Sequence, residues 1–119
     1  MNRLPVENTG DRLLCLSVEP YAEDFWLRPG ESLAVMPSAD DTDPQFAVYA
    51  QPNHLSVWIY ESGDPTKVLM DFTVVNAKGT VVGCGYQRPA GATATASGVF
   101  LISERSVRGE PVDNDSAEA

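Results

Sequence analysis

The stretch Val18-Glu19-Pro20-Tyr21-Ala22-Glu23-Asp24-Phe25-Trp26-Leu27-Arg28-Pro29-Gly30-Glu31 decides the fold class of this 119-residue chain. It joins two apolar runs, at residues 13–18 and 32–36. Pro20 and Pro29 fix φ and carry no N–H group, so neither suits a helix interior or a central strand. Pro29-Gly30 is typical of a type II turn, which needs a positive φ at its second central residue. The stretch therefore predicts a strand, an ordered loop with at most one helical turn at 21–26, a tight turn and a second strand.

Short runs of apolar and β-branched residues, separated by turn residues, continue along the rest of the chain. Leu55-Ser56-Val57-Trp58-Ile59-Tyr60 is the clearest strand pattern, and a hairpin is expected around Asn76-Ala77-Lys78-Gly79. We predict seven strands, at residues 13–18, 32–36, 45–50, 55–60, 67–75, 80–86 and 99–103. No window shows helical periodicity, so the pattern predicts an all-β domain. Its form would be an antiparallel β-sandwich, immunoglobulin-like or cupredoxin-like, or a partly open barrel.

One domain is expected, over residues 1–108, because the chain is long enough for a single core. Residues 109–119 contain four acids and no aromatic residue. A segment of this composition has too little apolar surface to offset its ordering entropy. We therefore predict a disordered acidic tail there.

The first third of the chain also carries a recurring order of turn residues around its strands. The order is Asn-x-Gly, an apolar strand, Glu-Pro-aromatic and then Leu-x-Pro-Gly-Glu, and the matching residues are Asn8, Gly10, Glu19, Pro20, Tyr21, Leu27, Pro29, Gly30 and Glu31. This order resembles the opening of small bacterial β-sandwich proteins of unknown function. The resemblance implies the same sandwich fold and a bacterial source, and it implies no activity.

The net charge of −9, from 17 acids and 8 basic residues, limits the classes of partner. Phosphate backbones and anionic membrane surfaces attract clustered Lys and Arg, which this chain lacks, so neither is an expected partner. A basic protein partner fits the charge, although solvation alone also explains acidic loops. No apolar run is long enough to span a membrane, and the N-terminus does not resemble a secretory signal, so a cytoplasmic location is expected.

Two cysteines and one histidine are the residues to weigh for catalysis. Cys15 and Cys84 lie in apolar runs and are expected to be buried free thiols, because disulfides are rare in the cytoplasm. His54 follows Pro52-Asn53, where an exposed imidazole in a turn is expected. A cysteine–histidine nucleophile pair would need a sequence signature that neither cysteine has. We therefore predict that the chain is not an enzyme.

Metal and cofactor sites are disfavoured by the number of available ligands. A type 1 copper site needs two histidines, and a zinc site would need a carboxylate added to His54 and both cysteines. No phosphate loop or dinucleotide fingerprint is present. Asp40, Asp41 and Asp43 leave calcium open, but a solvated loop is favoured because Pro44 ends the segment early. No cofactor is expected.

Aromatic side chains next to acids suggest a surface for a protein partner, since interfaces combine an aromatic centre with a charged rim. Trp58 and Tyr60 share one face of their strand, opposite Val57 and Ile59, and an outward aromatic pair would form a partner surface or a homodimer face. Trp26 is expected to close one end of the sandwich. The predicted partner-binding residues are Tyr21, Glu23, Asp24, Phe25, Trp58 and Tyr60.

The sequence thus predicts a non-catalytic protein-binding module. The alternative is an acidic inhibitor or immunity-type protein that covers a basic active site, and its association would be sensitive to salt. A small enzyme is the third and least favoured class.

Overall fold

The computed structural model describes residues 2–38, 43–94 and 100–101, and these contain ten strands and no helix. The strands are β1 (Leu4–Glu7), β2 (Leu14–Val18), β3 (Glu23–Leu27), β4 (Ser32–Pro37), β5 (Pro44–Gln51), β6 (His54–Glu61), β7 (Phe72–Asn76), β8 (Val81–Val82), β9 (Thr93–Ala94) and β10 (Phe100–Leu101). Two four-stranded sheets, ordered β1-β4-β7-β8 and β3-β2-β6-β5, pack against each other, and β9 pairs with β10 separately. The predicted all-β sandwich is confirmed.

The core lies between the two sheets and is filled by alternate residues of each strand. Side chains of a strand point to opposite faces in turn, so one apolar set per strand meets the facing sheet. The inward residues are Leu16, Val18, Phe25, Leu27, Val57 and Ile59 from one sheet, and Val6, Leu33, Val35 and Val74 from the other. Strands β2 and β6 are parallel, whereas the other neighbouring strands of the two sheets are antiparallel.

The connector at residues 19–31 was predicted as a loop, and this prediction was wrong for its central part. Residues 19–22 form a turn with a cis Glu19–Pro20 bond, and β3 follows as an edge strand paired with β2. Phe25 and Leu27 belong to the core, so β3 alternates like the other strands and contains no helical turn. Gly30 has a φ of 86°, as the predicted Pro29-Gly30 turn requires. The four-residue strand β1 was not predicted.

The chain beyond the β7–β8 hairpin differs most from the predicted strands. The hairpin is confirmed, but β8 has only two residues, and residues 83–88 then run along the open side of β3. The backbone N–H of Gly85 donates to the carbonyl of Asp24 (2.6 Å), and that of Trp26 donates to the carbonyl of Tyr86 (2.9 Å). We call residues 83–88 the capping segment, because they occupy this edge of the sheet.

Two further predicted strands are shorter than expected. Residues 67–70 do not form a regular strand. They lie beside β6, to which a single bridge between Tyr60 and Val68 connects them, and β7 begins at Phe72. Of the predicted strand at 99–103, only Phe100 and Leu101 are described, as β10. The predicted tail at 109–119 lies outside the described residues.

Candidate functional site

A buried carboxylate holds the capping segment against β3. Asp24 lies on the outer face, by which we mean the side of sheet β3-β2-β6-β5 that points away from the core. Its two oxygens accept hydrogen bonds from Nε and Nη2 of Arg88, both at 2.7 Å, in a bidentate ion pair. Nε1 of Trp26 also donates to Asp24 at 2.7 Å, and the Cys84 thiol donates at 3.5 Å. One carboxylate therefore accepts from three side chains and joins β3 to the capping segment.

The ionisation of Asp24 follows from these contacts. Burial acts to raise the pKa of Asp24, but the hydrogen bonds from Arg88 and Trp26 outweigh it, so the pKa lies below its usual range. The carboxylate is charged at neutral pH and is neutralised locally by Arg88. The sequence predicts that Asp24 is a surface charge that contacts a partner. This was wrong, because Arg88 and Trp26 cover it.

Gln87 and Gly85 complete the attachment of the capping segment. Nε2 of Gln87 donates to the carbonyl of Trp26 (2.8 Å) and to Oε1 of Glu31 (2.7 Å), which also accepts from the backbone N–H of Arg28 (2.8 Å). Gly85 has a φ of 88°, and a Cβ there would lie 3.1 Å from Nη2 of Arg88. Only glycine combines this backbone conformation with the close approach of the guanidinium.

A second polar cluster lies deeper on the outer face, where β2 meets β6. Ser17 Oγ and His54 Nε2 are 2.7 Å apart, and Cys15 Sγ lies 3.9 Å from Ser17 Oγ. Burial lowers the pKa of His54 and raises the pKa of Cys15 to about 12. The prediction of an exposed His54 in a turn was wrong. His54 begins β6, whose parallel pairing sets it beside Cys15.

A serine and a histidine at this distance resemble a nucleophile and its base, so access to the site decides what the cluster can do. Ser17 has no exposed surface, and Cys15 is also buried. A substrate atom cannot approach either side chain in this conformation. The cluster therefore satisfies buried polar groups and offers no route to nucleophilic catalysis.

The two thiols lie in different environments, and both are free. Burial of Cys15 was predicted and is confirmed, whereas Cys84 was expected to be buried and is exposed. The difference arises because Cys84 lies in the turn of the capping segment rather than in a strand. Partial burial, with the Asp24 carboxylate nearby, raises the pKa of Cys84. At neutral pH the exposed sulfur is therefore a protonated thiol, which is the less nucleophilic form.

The aromatic pair of β6 lies on the outer face. Val57 and Ile59 are fully buried in the core, so Trp58 and Tyr60 point the other way, where both are half-buried. Their rings stack with centroids 6.2 Å apart and an angle of 7° between the planes. Tyr49, which is 59% exposed, shares this face because it pairs with Ser56 in the β5–β6 hairpin. Tyr49 is not among the predicted partner residues, although its pairing with Ser56 places it on this face.

The other predicted partner residues fall into different surroundings. Tyr21 is 71% exposed, and its hydroxyl donates to Sδ of Met70 (3.5 Å), itself exposed. Glu23 is half-buried. Phe25 is buried in the core, with its ring edge-on to Phe72, so it has no surface left for a partner and its predicted contact was wrong. The structure thus leaves Tyr21 and the Trp58–Tyr60 pair as the accessible aromatic groups of the prediction.

The described residues hold no group of three or more His, Cys, Asp or Glu side chains that could bind a metal ion together. Of the possible calcium ligands, Asp43 is described, while Asp40 and Asp41 lie outside the described residues, so the preference for a solvated loop over a calcium site stays a prediction. In the same part of the chain no helix is long and apolar enough to cross a membrane. Comparison with protein-family models, with curated proteins and with solved structures found no match to this chain.

Proposed function

We propose that this chain is a non-catalytic module that binds a protein partner through the outer face of sheet β3-β2-β6-β5. The observation that carries the proposal is the stacked pair Trp58 and Tyr60. Two large rings lie on the outside of the sheet, while the smaller Val57 and Ile59 fill the core behind them. We define the aromatic surface as Tyr49, Trp58 and Tyr60.

The composition of this surface suits protein recognition. Trp and Tyr bury a large area and lose little conformational entropy on binding, and they are enriched among residues that dominate binding energy. Gln45 and Gln51 belong to the same face of β5 and supply polar groups around the rings. The rings have restricted freedom because they already stack on each other. A preorganised surface of this kind lowers the cost of association.

The charge of the chain favours a partner with a basic surface. A net charge of −9 attracts positively charged proteins over long distances and speeds their association. If the basic surface is the active site of a toxin or nuclease, the module acts as its inhibitor. The two free thiols fit a reducing compartment, which supports a cytoplasmic location.

The proposal is tested with Trp58→Ala and a matched control, Val81→Ala, which removes an exposed apolar side chain from β8 in the other sheet. A partner enriched from native lysate with the wild type is purified and titrated with all three proteins. We expect Trp58→Ala to bind at least about tenfold more weakly, and Val81→Ala to bind like the wild type. Melting curves confirm that both variants are folded.

Salt provides a second measurement on the same complex. Affinity should fall as salt rises from about 50 to about 300 mM, because the attraction between exposed charges is screened. Equal affinity of Trp58→Ala and wild type would place the interface elsewhere. Affinity that is insensitive to salt would remove the basic partner from the proposal.

A further inference from the structure

The four edge strands of the two sheets are unequally protected against pairing with another strand. Proteins shield exposed edges with short strands, prolines, charged residues, bulges or covering segments. β1 has four residues, among them Pro5 and Glu7, and β8 has only two residues. β3 is covered by the capping segment through Gly85 and Tyr86. Three of the four edge strands therefore have a recognisable feature that hinders pairing with another strand.

β5 is the fourth edge strand, and it has almost none of these protective features. It has eight residues, Pro-Gln-Phe-Ala-Val-Tyr-Ala-Gln, with no charged side chain, and proline only at its first position. All eight pair in one continuous register with β6, without a bulge. Val48 is 45% exposed. Within residues 2–38, 43–94 and 100–101, β6 is the only strand that pairs with β5.

The hydrogen-bonding groups on the open side of β5 follow from its register. The N–H of Ser62 donates to the carbonyl of Asp43 (2.8 Å), which continues the β5–β6 ladder by one pair. Since bonded and non-bonded pairs alternate along an antiparallel ladder, the odd-numbered residues of β5 bond to β6. The N–H groups of Phe46, Val48 and Ala50 therefore point to the open edge. Pro52 and the first residue of β5 have no N–H to add at either end.

We propose that β5 pairs antiparallel with β5 of a second copy of this chain, around a two-fold axis at Val48. In this register Val48 lies opposite Val48 of the second copy, and Phe46 lies opposite Ala50. These three bonded pairs have two hydrogen bonds each, so every open N–H group of the two edges gains an acceptor. The two sheets of four strands join into one continuous sheet of eight.

Symmetry favours a second copy as the occupant, and the uncharged sequence of β5 permits the pairing. Paired residues of an antiparallel ladder point to the same face, and this register pairs even-numbered with even-numbered residues, so each side chain keeps its core or outer side. The contact is isologous and closes as a dimer. Each copy carries a charge of −9, but β5 itself is uncharged, so no acid is buried in the ladder. Repulsion between the copies is then long-range and can be screened by salt.

The test is sedimentation velocity of the purified chain over about 1–500 µM protein, at low and at high salt. A strand pair with few flanking contacts is a small interface, and we expect a dissociation constant on the order of 10 µM. The dimer should tighten as salt increases. A partner with basic charge would show the opposite trend, so the result is independent of the proposed function.

Val48→Lys places a charge at the centre of the edge, as protected edges do, and should leave only monomer across the range. Val81→Lys makes the same change at β8 and should dimerise like the wild type. Ala50→Pro removes one edge N–H per copy without adding charge, and should weaken the dimer about tenfold or more. Circular dichroism establishes that each variant is folded.

Three results would overturn the proposal. If the wild type stays monomeric at the highest concentration in high salt, β5 does not pair with a second copy, and its open edge would instead be available to a strand of another protein. If Val48→Lys dimerises as tightly as the wild type, the centre of β5 is not part of the contact. If Ala50→Pro dimerises as tightly as the wild type, the dimer contact does not involve the β5 edge.

Discussion

Replacing Arg88 with Met tests whether the ion pair with Asp24 holds the capping segment on β3. Methionine keeps most of the length and apolar stem of arginine but removes both guanidinium hydrogen bonds to the carboxylate. Asp24 then stays buried beside Trp26 with its charge no longer neutralised. We therefore expect a clear loss of stability, concentrated at this edge of the sheet.

The magnitude follows from the exposure of the two partners. Removing one member of a fully buried ion pair lowers the free energy of unfolding by about 3–5 kcal/mol, because the remaining charge is buried without a compensating partner. The Arg88 side chain is 43% exposed, so water can reach part of the vacated space and reduce this cost. We expect the free energy of unfolding to fall by about 2 kcal/mol. For a domain of this size that lowers the melting temperature by roughly 8 °C.

The assay is urea and thermal unfolding of wild type, Arg88→Met and Arg28→Met. Arg28 is an exposed arginine in the β3–β4 connection, so its replacement should change stability by less than about 0.5 kcal/mol. The pKa of Asp24 is lowered in the folded state, so its ionic stabilisation is present above its usual value of 3.8 and is lost as pH falls below it. The gap between wild type and Arg88→Met should close in this acidic range. If Arg88→Met unfolds like Arg28→Met at neutral pH, the ion pair does not hold the segment.

Two further predictions concern the buried histidine and the two thiols. Burial lowers the pKa of His54 below its usual 6.5, so on acidification the unfolded chain takes up a proton before the folded chain does, and stability should fall as pH drops through about 6.5. Unfolding curves at about pH 7.5 and pH 5.5 measure this, and His54→Gln should show a smaller decrease. Cys84 should react with a thiol reagent in the native protein, whereas Cys15 should react only on unfolding, because it is buried and its pKa is raised to about 12. Mass spectrometry of labelled peptides distinguishes the two, and native labelling of Cys15 would mean that its cluster opens.

The sandwich was predictable because its core is encoded by alternation within single strands. Val57 and Ile59 alternate with Trp58 and Tyr60, and a period of two is local information. β3 was not predicted, because the nearby Pro20 and Pro29 favour a loop over a strand. These prolines lie outside the strand, on either side of Glu23–Leu27, and do not interrupt its pairing with β2.

The polar clusters could not be predicted because their members are far apart in the sequence. Asp24 and Arg88 are separated by 64 residues, and neither position differs locally from an exposed charge. His54 and Ser17 meet only because β2 and β6 are parallel neighbours. These two strands are not joined by a turn, so the sequence gives no sign that they pair. A charged side chain is buried only where a partner compensates its charge. The residues next to it in the sequence do not reveal where that partner lies.

In the proposed dimer, the aromatic surfaces of both copies lie on one continuous sheet, joined at the β5 edges. The two-fold axis of the proposed dimer runs perpendicular to that sheet, so the outer faces of both copies point in the same direction. From β6 of one copy to β6 of the other are three strand spacings, or about 14 Å. The two Trp58–Tyr60 stacks would then form one broad surface with Tyr49 of each copy between them. A single partner could contact both halves, and a partner with two sites would gain avidity without new contacts. Val48→Lys should therefore weaken partner binding even though Val48 lies on the core side of β5, while leaving the aromatic surface of each monomer unchanged.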